Sequence, residues 1–352
     1  MSHKLQTAVV GARGYAGQEL ARLLLAHPRL AGVAPLFCGR EADSLARVHP
    51  ALRGIARAPA GDEALVVHPF AWDLLERRGV DTLFLATPHE QSRQWVPAGL
   101  ARGFRIIDLS GAWRLAESGN RAVYGFEDKD APAAEAVQSQ AVYGLPELHR
   151  ERIRGARLVA NPGCYATSVI LALKPLADAG LLDLEHGVIC DAKSGVSGAG
   201  REPTEKTHFM YAANSFSAYG LWTHRHTGEL REQLGLSEGE IVFTPHLLPI
   251  PRGILSTVYV RFKQRMTAEA VETCFATFYA GRKLVRLFRP PDLPQIGYVE
   301  RTNFCDLGVS LAGDGRRAII VSCLDNLLKG AASQAVQNWN LMCGWDETEG
   351  LL

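Results

Sequence analysis

One short segment near the start of the chain constrains the fold more than any other. Residues 7–10 are apolar and partly β-branched, which predicts a buried strand. Gly11, Gly14 and Gly17 follow, and leucines then recur at helical spacing until Pro28. A strand, a glycine turn and a helix in this order predict the first unit of a parallel sheet that helices cover.

Similar patterns continue along the first part of the chain. Apolar strand patterns occur at residues 32–40, 80–88 and 104–110, and a helical pattern occupies residues 91–103 despite Pro97. Strands that alternate with helices are typical of a doubly wound α/β fold. The length of 352 residues exceeds what a single core usually organises, so we expect two domains.

The pattern changes after about residue 157. Val258, Val260 and Phe262 alternate with more polar neighbours, which predicts strands with one buried face and a mainly antiparallel sheet. The second domain is therefore expected to be α+β. A last helix is predicted at residues 326–342, after the apolar stretch 316–323.

Composition and charge exclude several classes of partner. The 38 Lys and Arg residues balance 37 Asp and Glu residues, so no strong field favours nucleic acid or a membrane surface. No apolar run reaches the roughly 18 residues that span a bilayer, and the start lacks the apolar core of a signal peptide. The seven cysteines are scattered, which predicts reduced thiols in a cytoplasm and no metal site.

The glycine turn predicts a dinucleotide site. A pyrophosphate can approach the helix N-terminus closely there, because free amides and the helix dipole favour anions. The spacing G-x-x-G-x-x-G differs from the usual G-x-G-x-x-G, and an ordinary strand–helix turn is the alternative. Arg40 ends the second predicted strand and Glu41 follows. An arginine at this place favours NADP, whereas an acid favours NAD; we predict NADP.

Cys164 occupies an unusual local setting. Asn161, Pro162 and Gly163 precede it, and residues 164–180 have a helical pattern. A thiol at a helix N-terminus is stabilised as the thiolate, which is the nucleophilic form. The alternative is a small buried filler. That reading is expected for the six other cysteines, which are Cys38, Cys190, Cys274, Cys305, Cys323 and Cys343.

His224, His226 and Glu229 form a second candidate group. A metal site is the less favoured reading, because no third strong ligand is marked, and a hydrogen-bonded loop cluster is the alternative. In an extended chain the two histidines would point to opposite sides, so that one faces a site and the other packs. For nucleophilic catalysis the useful arrangement is a histidine beside a thiol, because the histidine can act as the base.

Two further segments are candidates for anion contacts. The glycine-serine loop at residues 193–202 could cradle a phosphate or a nicotinamide, or it could be a flexible surface loop. Ser110 and Arg114 follow a strand end, where ligands bind in such sheets. Arg114 is a candidate anion anchor, with an ordinary solvated charge as the alternative.

Taken together, the motifs resemble the N-acetyl-γ-glutamyl-phosphate reductase family of arginine biosynthesis. The resemblance covers residues 9–340 and rests on VVGARGYAGQEL, DLSGAWR, YGLPE, NPGCY, SGVSGAGR, THRHTGE, FTPHLLPIPRGI and DNLLKGAASQAVQNWN. It implies a cytoplasmic oxidoreductase that uses NADPH to reduce N-acetyl-γ-glutamyl phosphate to the 5-semialdehyde and phosphate.

The resemblance also implies roles for residues. Cys164 would be the nucleophile that forms a thioester, and His224 the acid/base. The expected substrate-binding residues are Arg114, Ser194, Gly195, Arg201, Tyr219, His226 and Glu229. The expected cofactor-binding residues are Gly11, Arg13, Gly14, Tyr15, Ala16, Gly17, Arg40, Thr87, Pro88, Ser110, Gly198 and Asn326.

The implied architecture is that of glyceraldehyde-3-phosphate and aspartate-semialdehyde dehydrogenases. Residues 1–156 and 325–352 would form a Rossmann domain, to which the last helix returns. Residues 157–324 would form the catalytic and oligomerisation domain of a homodimer or homotetramer.

Four other functions remain open from the residues. Aspartate-semialdehyde dehydrogenase is one, although the H-R-H-x-x-E motif argues against it. A reductase of carrier-linked aminoadipyl phosphate in lysine synthesis shares much of the pattern. A non-catalytic NADP sensor would not need Cys164 and His224, and a cysteine hydrolase would not need the glycine turn.

Overall fold

The computed structural model describes residues 5–55 and 65–352. The chain divides into two compact units, which are Met1–Pro162 with Ala331–Leu352, and Gly163–Gly330. The chain passes from the first unit to the second after Pro162 and returns after Gly330. Each of these points lies six residues after the domain boundary expected from the sequence, at 156 and 324.

The first unit is built on a nearly all-parallel sheet. Its strands run in the order β3-β4-β2-β1-β5-β6-β8-β7 within the described residues, and only β3 is antiparallel to its neighbour. Central strands such as β1 and β5 are buried at every residue, as expected when helices cover both faces. The strands are β1 Thr7–Val10, β2 Leu36–Gly39, β3 Asp43–Ser44, β4 Val66–Pro69, β5 Thr82–Leu85, β6 Arg105–Asp108, β7 Ala141–Tyr143 and β8 Leu158–Ala160.

Helices follow most of these strands. The first begins after Gly14 and buries its leucines, as the spacing predicts. Pro97 lies inside the fourth without ending it. The helices are α1 Tyr15–Ala26, α2 Leu45–Val48, α3 Trp72–Arg77, α4 His89–Ala101, α5 Ser118–Arg121, α6 Ala131–Gln138 and α7 Pro146–Arg154.

The second unit is built on a mixed, mainly antiparallel sheet of order β10-β11-β9-β12-β15-β14-β13. The pairs β9–β11 and β13–β14 are parallel and the other pairs are antiparallel. The strands are β9 Val188–Gly195, β10 Ser217–Ala218, β11 Ile241–Leu248, β12 Ile254–Arg261, β13 Val285–Phe288, β14 Cys305–Leu311 and β15 Arg317–Leu324. The helices are α8 Cys164–Asp178, α9 Phe209–Ala212, α10 His226–Leu234, α11 Ala268–Phe278 and α12 Ile296–Val299.

The alternation of apolar and more polar residues that the sequence predicts gives this sheet one buried face and one more exposed face. Val258 and Val260 in β12 are buried, whereas Tyr259 between them is exposed. Helix α8 packs on the buried face, where Ser168 Oγ lies 2.9 Å from the hydroxyls of both Ser256 and Ser322.

The opposite side of this sheet is called here the open face. It carries Ile189, Tyr259 and Ile319, which are paired across three neighbouring strands and are all exposed.

The last helix belongs to the first unit and begins later than predicted. Helix α13 spans Ser333–Met342 and is buried throughout. A π-helical turn, Leu328–Ala332, precedes it, so the predicted start at residue 326 is wrong. The physical reason is the register of the backbone bonds: the Gly330 amide donates to the Asp325 carbonyl, five residues earlier, at 2.9 Å, which makes a π-type turn, while the Asp325 carboxylate caps the amides of Leu327 and Leu328 at 2.9 and 3.2 Å. Within the described residues, no helix is long and apolar enough to cross a membrane.

Candidate active site

The cysteine stands at the start of a helix, as predicted. Cys164 is the first residue of α8, and extended Gly163 precedes it as the N-cap without any side-chain cap. No acidic residue occupies the first turn. The partly exposed thiol therefore lies where the amides and the dipole of α8 favour a negative charge.

The other cysteines lie in less favourable settings. None of the seven cysteines forms a disulfide, and Cys38, Cys190, Cys305 and Cys323 are buried. Burial raises the pKa of Cys38 to about 12 and raises those of Cys190 and Cys323 further. These thiols remain protonated at neutral pH, so they are poor nucleophiles.

A buried carboxylate holds the turn before Cys164. Glu229 is fully buried in the first turn of α10, and its Oε2 accepts the Gly163 amide at 2.9 Å. Its Oε1 lies 3.9 Å from Nε2 of His226. A Cβ atom on Gly163 would come within 2.3 Å of that same nitrogen. Glycine is therefore required for the imidazole to lie against the cysteine turn.

His224 lies in an aromatic enclosure beside His226. Their ring centroids are 4.7 Å apart, and His224 also contacts the rings of Tyr165, Tyr219 and Phe243 at 5.3–5.7 Å. The expectation that the histidines point to opposite sides is wrong. Alternation applies to a strand, whereas His226 is the first residue of helix α10.

The charge and tautomer of His224 follow from its surroundings. Burial and, less strongly, the neighbouring Arg225 lower the pKa of His224 to about 4. Its Nδ1 accepts the His226 amide at 3.2 Å, so the neutral ring carries its proton on Nε2.

Tyr165 is a member of the site that the sequence reasoning missed. It follows Cys164 in α8, is buried, and donates its hydroxyl to the His246 carbonyl at 2.6 Å. Its ring is edge-on to those of His224 and His226. The NPGCY motif contained this residue, but its role depends on contacts that periodicity does not show.

Tyr219 is a second tyrosine of the site. Burial raises the pKa of Tyr219 to about 12, and the charge of Cys164 adds to the effect.

The loop after β9 is fixed by its backbone. A Cβ on Gly195 would lie 2.7 Å from the Arg252 amide nitrogen. Asn326 donates Nδ2 to Ser197 Oγ at 2.9 Å and accepts the Gly253 amide at 2.8 Å.

The remaining predicted residues of this region differ in exposure. Ser194 is buried and donates to the Gly195 carbonyl, and Gly198 faces Ser194 Oγ. Arg201 is exposed.

A buried ion pair supports this region and was also missed. Arg252 Nη2 donates to Asp325 Oδ1 at 3.0 Å, and Nε lies 3.0 Å from Oδ2. Asp325 Oδ2 also accepts the Arg301 amide at 2.7 Å. The segment that follows passes against Cys164, because a Cβ on Gly330 would lie 2.7 Å from Cβ of Cys164. The two residues of this ion pair are 73 positions apart in the sequence, so no local sequence pattern could predict it.

The first unit carries the glycine turn. Gly11 has φ +89°, and a Cβ there would lie 2.2 Å from the Ala86 carbonyl oxygen. A Cβ on Gly17 would lie 2.3 Å from the Gly11 oxygen. Gly14 caps α1 without a side-chain bond, and no acid occupies the first turn. The α1 amides therefore have the chemistry that a pyrophosphate needs.

A cavity of about 340 Å³ lies beside this turn. It brings together four predicted residues, which are Gly11, Arg40, Thr87 and Pro88. Arg40 is exposed and has no ion-pair partner among residues 5–55 and 65–352, whereas Arg13 lies 3.6 Å from the Asp43 carboxylate. The full lining is Val10, Gly11, Gly39, Arg40, Phe70, Ala86, Thr87, Pro88, Gln91 and Trp95.

The predicted residues Ser110 and Arg114 are outside the lining of this cavity and brace strand ends. Ser110 is buried and donates Oγ to Asp108 at 2.8 Å. Arg114 is buried and donates to the carbonyls of Asn161 and Leu109 at 2.7 and 2.8 Å. Burial raises the pKa of Asp108, against the hydrogen bonds that it accepts.

Comparison with known proteins decides the family. A family model described as "Semialdehyde dehydrogenase, NAD binding domain" matches residues 6–156, and one described as "Semialdehyde dehydrogenase, dimerisation domain" matches residues 164–326. Proteins named N-acetyl-gamma-glutamyl-phosphate reductase from Symbiobacterium thermophilum and Campylobacter jejuni are 43% and 41% identical to this chain. These alignments cover 99% of this chain and 97% and 98% of the relatives. The chain belongs to the N-acetyl-gamma-glutamyl-phosphate reductase family.

Membership of this reductase family confirms the resemblance seen in the motifs, and solved structures agree on the fold. Aspartate semialdehyde dehydrogenase II from Vibrio cholerae, complexed with ASA, is similar with a TM-score of 0.70 and 18% identity over 97% of this chain and 99% of that one. A probable aspartate-semialdehyde dehydrogenase from Pseudomonas aeruginosa has a TM-score of 0.67 and 21% identity, over 96% and 98%. The predicted fold class is confirmed.

The low pKa of His224 predicts a pH-dependent stability. The folded value of about 4 lies below the ordinary 6.5, so the unfolded chain binds the proton more readily between these values. The contribution of His224 is complete above pH 6.5 and is lost as the pH falls toward 4. At pH 5 the loss is about 2 kcal/mol relative to pH 7.5. His224→Gln should lack this component in denaturant unfolding at the two pH values.

The exposed His186 supplies the control for this measurement. His186→Gln should keep the pH dependence of the unmodified protein. An unchanged pH dependence in His224→Gln would show that the fold does not hold this ring neutral.

Proposed function

We propose that this chain reduces N-acetyl-γ-glutamyl phosphate with NADPH to N-acetyl-L-glutamate 5-semialdehyde and phosphate, in arginine biosynthesis. The observation that carries the proposal is a partly exposed cysteine at the N-terminus of α8 with two histidines beside its turn. The identity of 40–43% to reductases of that name, over nearly the whole chain, supports the substrate.

The first step is proposed to be a displacement at the acyl carbon. The Cys164 thiolate attacks this carbon, a C–S bond forms, and the C–O bond to phosphate breaks with its electron pair leaving on phosphate. The product is a thioester. Departure of phosphate needs cationic help, for which Arg114 and Arg201 are the proposed residues. The exposed position of Arg201 suits a substrate contact, whereas Arg114 already binds two carbonyl groups.

The second step is proposed to be reduction of the thioester. NADPH, when bound, supplies the hydride. Neutral His224 carries its proton on Nε2, so it can share this proton in a hydrogen bond with the oxygen that becomes negative as the hydride adds to the thioester. The proton returns fully to Nε2 as the carbonyl re-forms, the C–S bond breaks with its electron pair on the Cys164 sulfur, and the aldehyde leaves.

The other substrate-side residues have proposed supporting roles. His226 and Tyr219 border the ring of His224, and Ser194 and Gly195 shape the loop after β9. Glu229 is fully buried, so we assign it to holding the Gly163 amide and not to direct substrate contact.

The first unit fits the proposed NADP. The α1 amides at Tyr15 and Ala16 would hold the pyrophosphate, with Gly11, Gly14 and Gly17 permitting the close approach. Thr87 and Pro88 line the cavity of about 340 Å³ beside the glycine turn, so they would also contact the cofactor. Arg40, with Arg13 as the second choice, would meet the 2′-phosphate. Ser110, Gly198 and Asn326 remain proposed cofactor positions.

We also propose a homodimer or homotetramer in the cytoplasm. The open face carries Ile189, Tyr259 and Ile319 beside a cavity of about 470 Å³, and it lies within the residues that match the dimerisation-domain model. The seven cysteines form no disulfide, which suits a reducing compartment.

A reverse assay tests the function. The 5-semialdehyde, phosphate and NADP should give NADPH, and NAD should support a lower rate. Carrier-linked semialdehyde is the comparison substrate. NADP binding without turnover of either substrate would support the sensor in place of the reductase.

The nucleophile can be tested with two cysteine variants. Cys164→Ala should reduce turnover by on the order of a thousandfold or more, because no other group can form the thioester. NADPH binding, followed by fluorescence titration, should be retained. Cys190→Ala is the matched control and should keep substantial activity. Near-normal turnover by Cys164→Ala would end the covalent mechanism.

The histidine pair can be tested in the same assay. His224→Gln should lower kcat about a hundredfold or more, because the glutamine cannot transfer a proton. KM should change less, since the role is exercised mainly in the transition state. His226→Gln is the comparison. A larger loss of kcat in His226→Gln would assign proton transfer to His226, whose Nε2 lies against the cysteine turn.

Cofactor preference depends on Arg40 in this proposal. A charge-assisted bond contributes about 1.5–3 kcal/mol, so Arg40→Ala should weaken NADPH binding roughly tenfold or more. NADH binding should barely change, because NADH lacks the 2′-phosphate. Titration of both cofactors measures the difference. Equal losses would show that Arg40 contacts another part of the cofactor, and Arg13→Ala would then be tested.

A further inference from the structure

A short segment of the second unit exposes an unusual number of large apolar side chains. Six of the sixteen exposed large apolar residues in the described chain lie within residues 209–222, which we call the aromatic arm. They are between 50% and 78% exposed, and they are Phe209, Met210, Tyr211, Phe216, Leu221 and Trp222. Single exposed apolar residues are ordinary, but a cluster of this kind marks an interaction surface.

The backbone of the arm is also unusual. Trp222 has φ +64° and Asn214 has φ +58°, and these are two of the three non-glycine residues with positive φ in the described chain. Asparagine tolerates the left-handed region, whereas a tryptophan there is strained. The Trp222 side chain is 78% exposed, so contacts within the chain do little to offset the strain. Such outliers persist where a further contact holds them.

The arm leads directly into the candidate active site. Ser217 and Ala218 form β10, which pairs with the edge of β11, and the Tyr219 amide donates to the Pro245 carbonyl at 3.1 Å. The Tyr219 ring lies 5.6 Å from that of His224. The arm therefore contains Tyr219, whose ring contacts that of His224.

The arm is continuous with the open face. Ala218 is paired with His246 of β11, and the Phe216 ring lies 5.0 Å from the His246 ring. His246 alternates with the buried residues of β11, so Phe216 covers the side of the sheet that carries Ile189 and Tyr259.

The size and chemistry of this surface fit a protein partner. An aromatic side chain contributes about 150–250 Å² when it is covered. The arm and the open face together approach the roughly 800 Å² per partner of a standard interface. Both lie within residues 164–326, which match a dimerisation domain.

We propose that the aromatic arm packs against a second copy of this chain, and that this contact holds Tyr219 and His224 in place. The site is then complete only in the assembled protein. The link to turnover rests on the proposed reductase function, whereas the contact itself does not.

Two kinds of variant test the proposal. Phe209→Ser with Trp222→Ser removes apolar surface from the arm, and Ile319→Lys places a charge on the open face far from the arm in sequence. Sedimentation equilibrium should show self-association weakened at least tenfold in both. Turnover per site should fall on dilution over the same concentration range and recover at high concentration. Val123→Ser, an exposed apolar residue of the first unit, is the matched control and should behave as the unmodified protein.

Hydrogen exchange supplies a readout that does not depend on turnover. The amides of residues 214–224 should be protected in the assembled protein and should exchange at least tenfold faster in Ile319→Lys. If the unmodified protein assembles with this protection but does not reduce the acyl phosphate, the reductase function fails and the contact stands. Full turnover per site in dissociated Ile319→Lys, or full assembly of the arm variant, would overturn the proposal.

Discussion

The hydrogen bond from the Gly163 amide to the buried Glu229 carboxylate determines the geometry of the candidate site. Helices α8 and α10 begin at Cys164 and His226, and this bond ties their N-termini together. Two positive helix ends then meet around a thiol, an imidazole and a carboxylate. A buried carboxylate without partners would be strongly unfavourable, and here a backbone amide satisfies it. The same arrangement suits a reaction in which a thiolate and a leaving phosphate both carry negative charge.

A second polar group supports the other side of the thiol. Asp325 and Asn326 are adjacent and buried, and between them they bind the side chain of Arg252, the hydroxyl of Ser197 and the amide of Gly253. Neither residue has to touch a reacting atom to influence the site. The segment that they anchor ends at Gly330, whose α-carbon lies against Cys164.

Much of this organisation could be predicted from the sequence, because it is local. The apolar runs and the glycine turn predict β1, α1 and the parallel order, and the Pro-Gly-Cys turn predicts the start of α8. The errors arise where tertiary contacts override local pattern. His226 begins a helix, so the alternation of an extended chain does not apply to it, and a π-type turn closed by the Gly330 amide on the Asp325 carbonyl delays α13 until Ser333. The Arg252–Asp325 ion pair joins distant positions, so periodicity contains no signal for it.

The missing side chain of Gly163 has an evolutionary consequence. Any larger residue there would displace the imidazole of His226, and any larger group at position 226 would press on the backbone that presents the thiol. The two positions, far apart in the chain, are therefore coupled in evolution. A larger residue at position 163 becomes compatible with this packing only after a smaller one has replaced His226, so the order of the two changes is fixed.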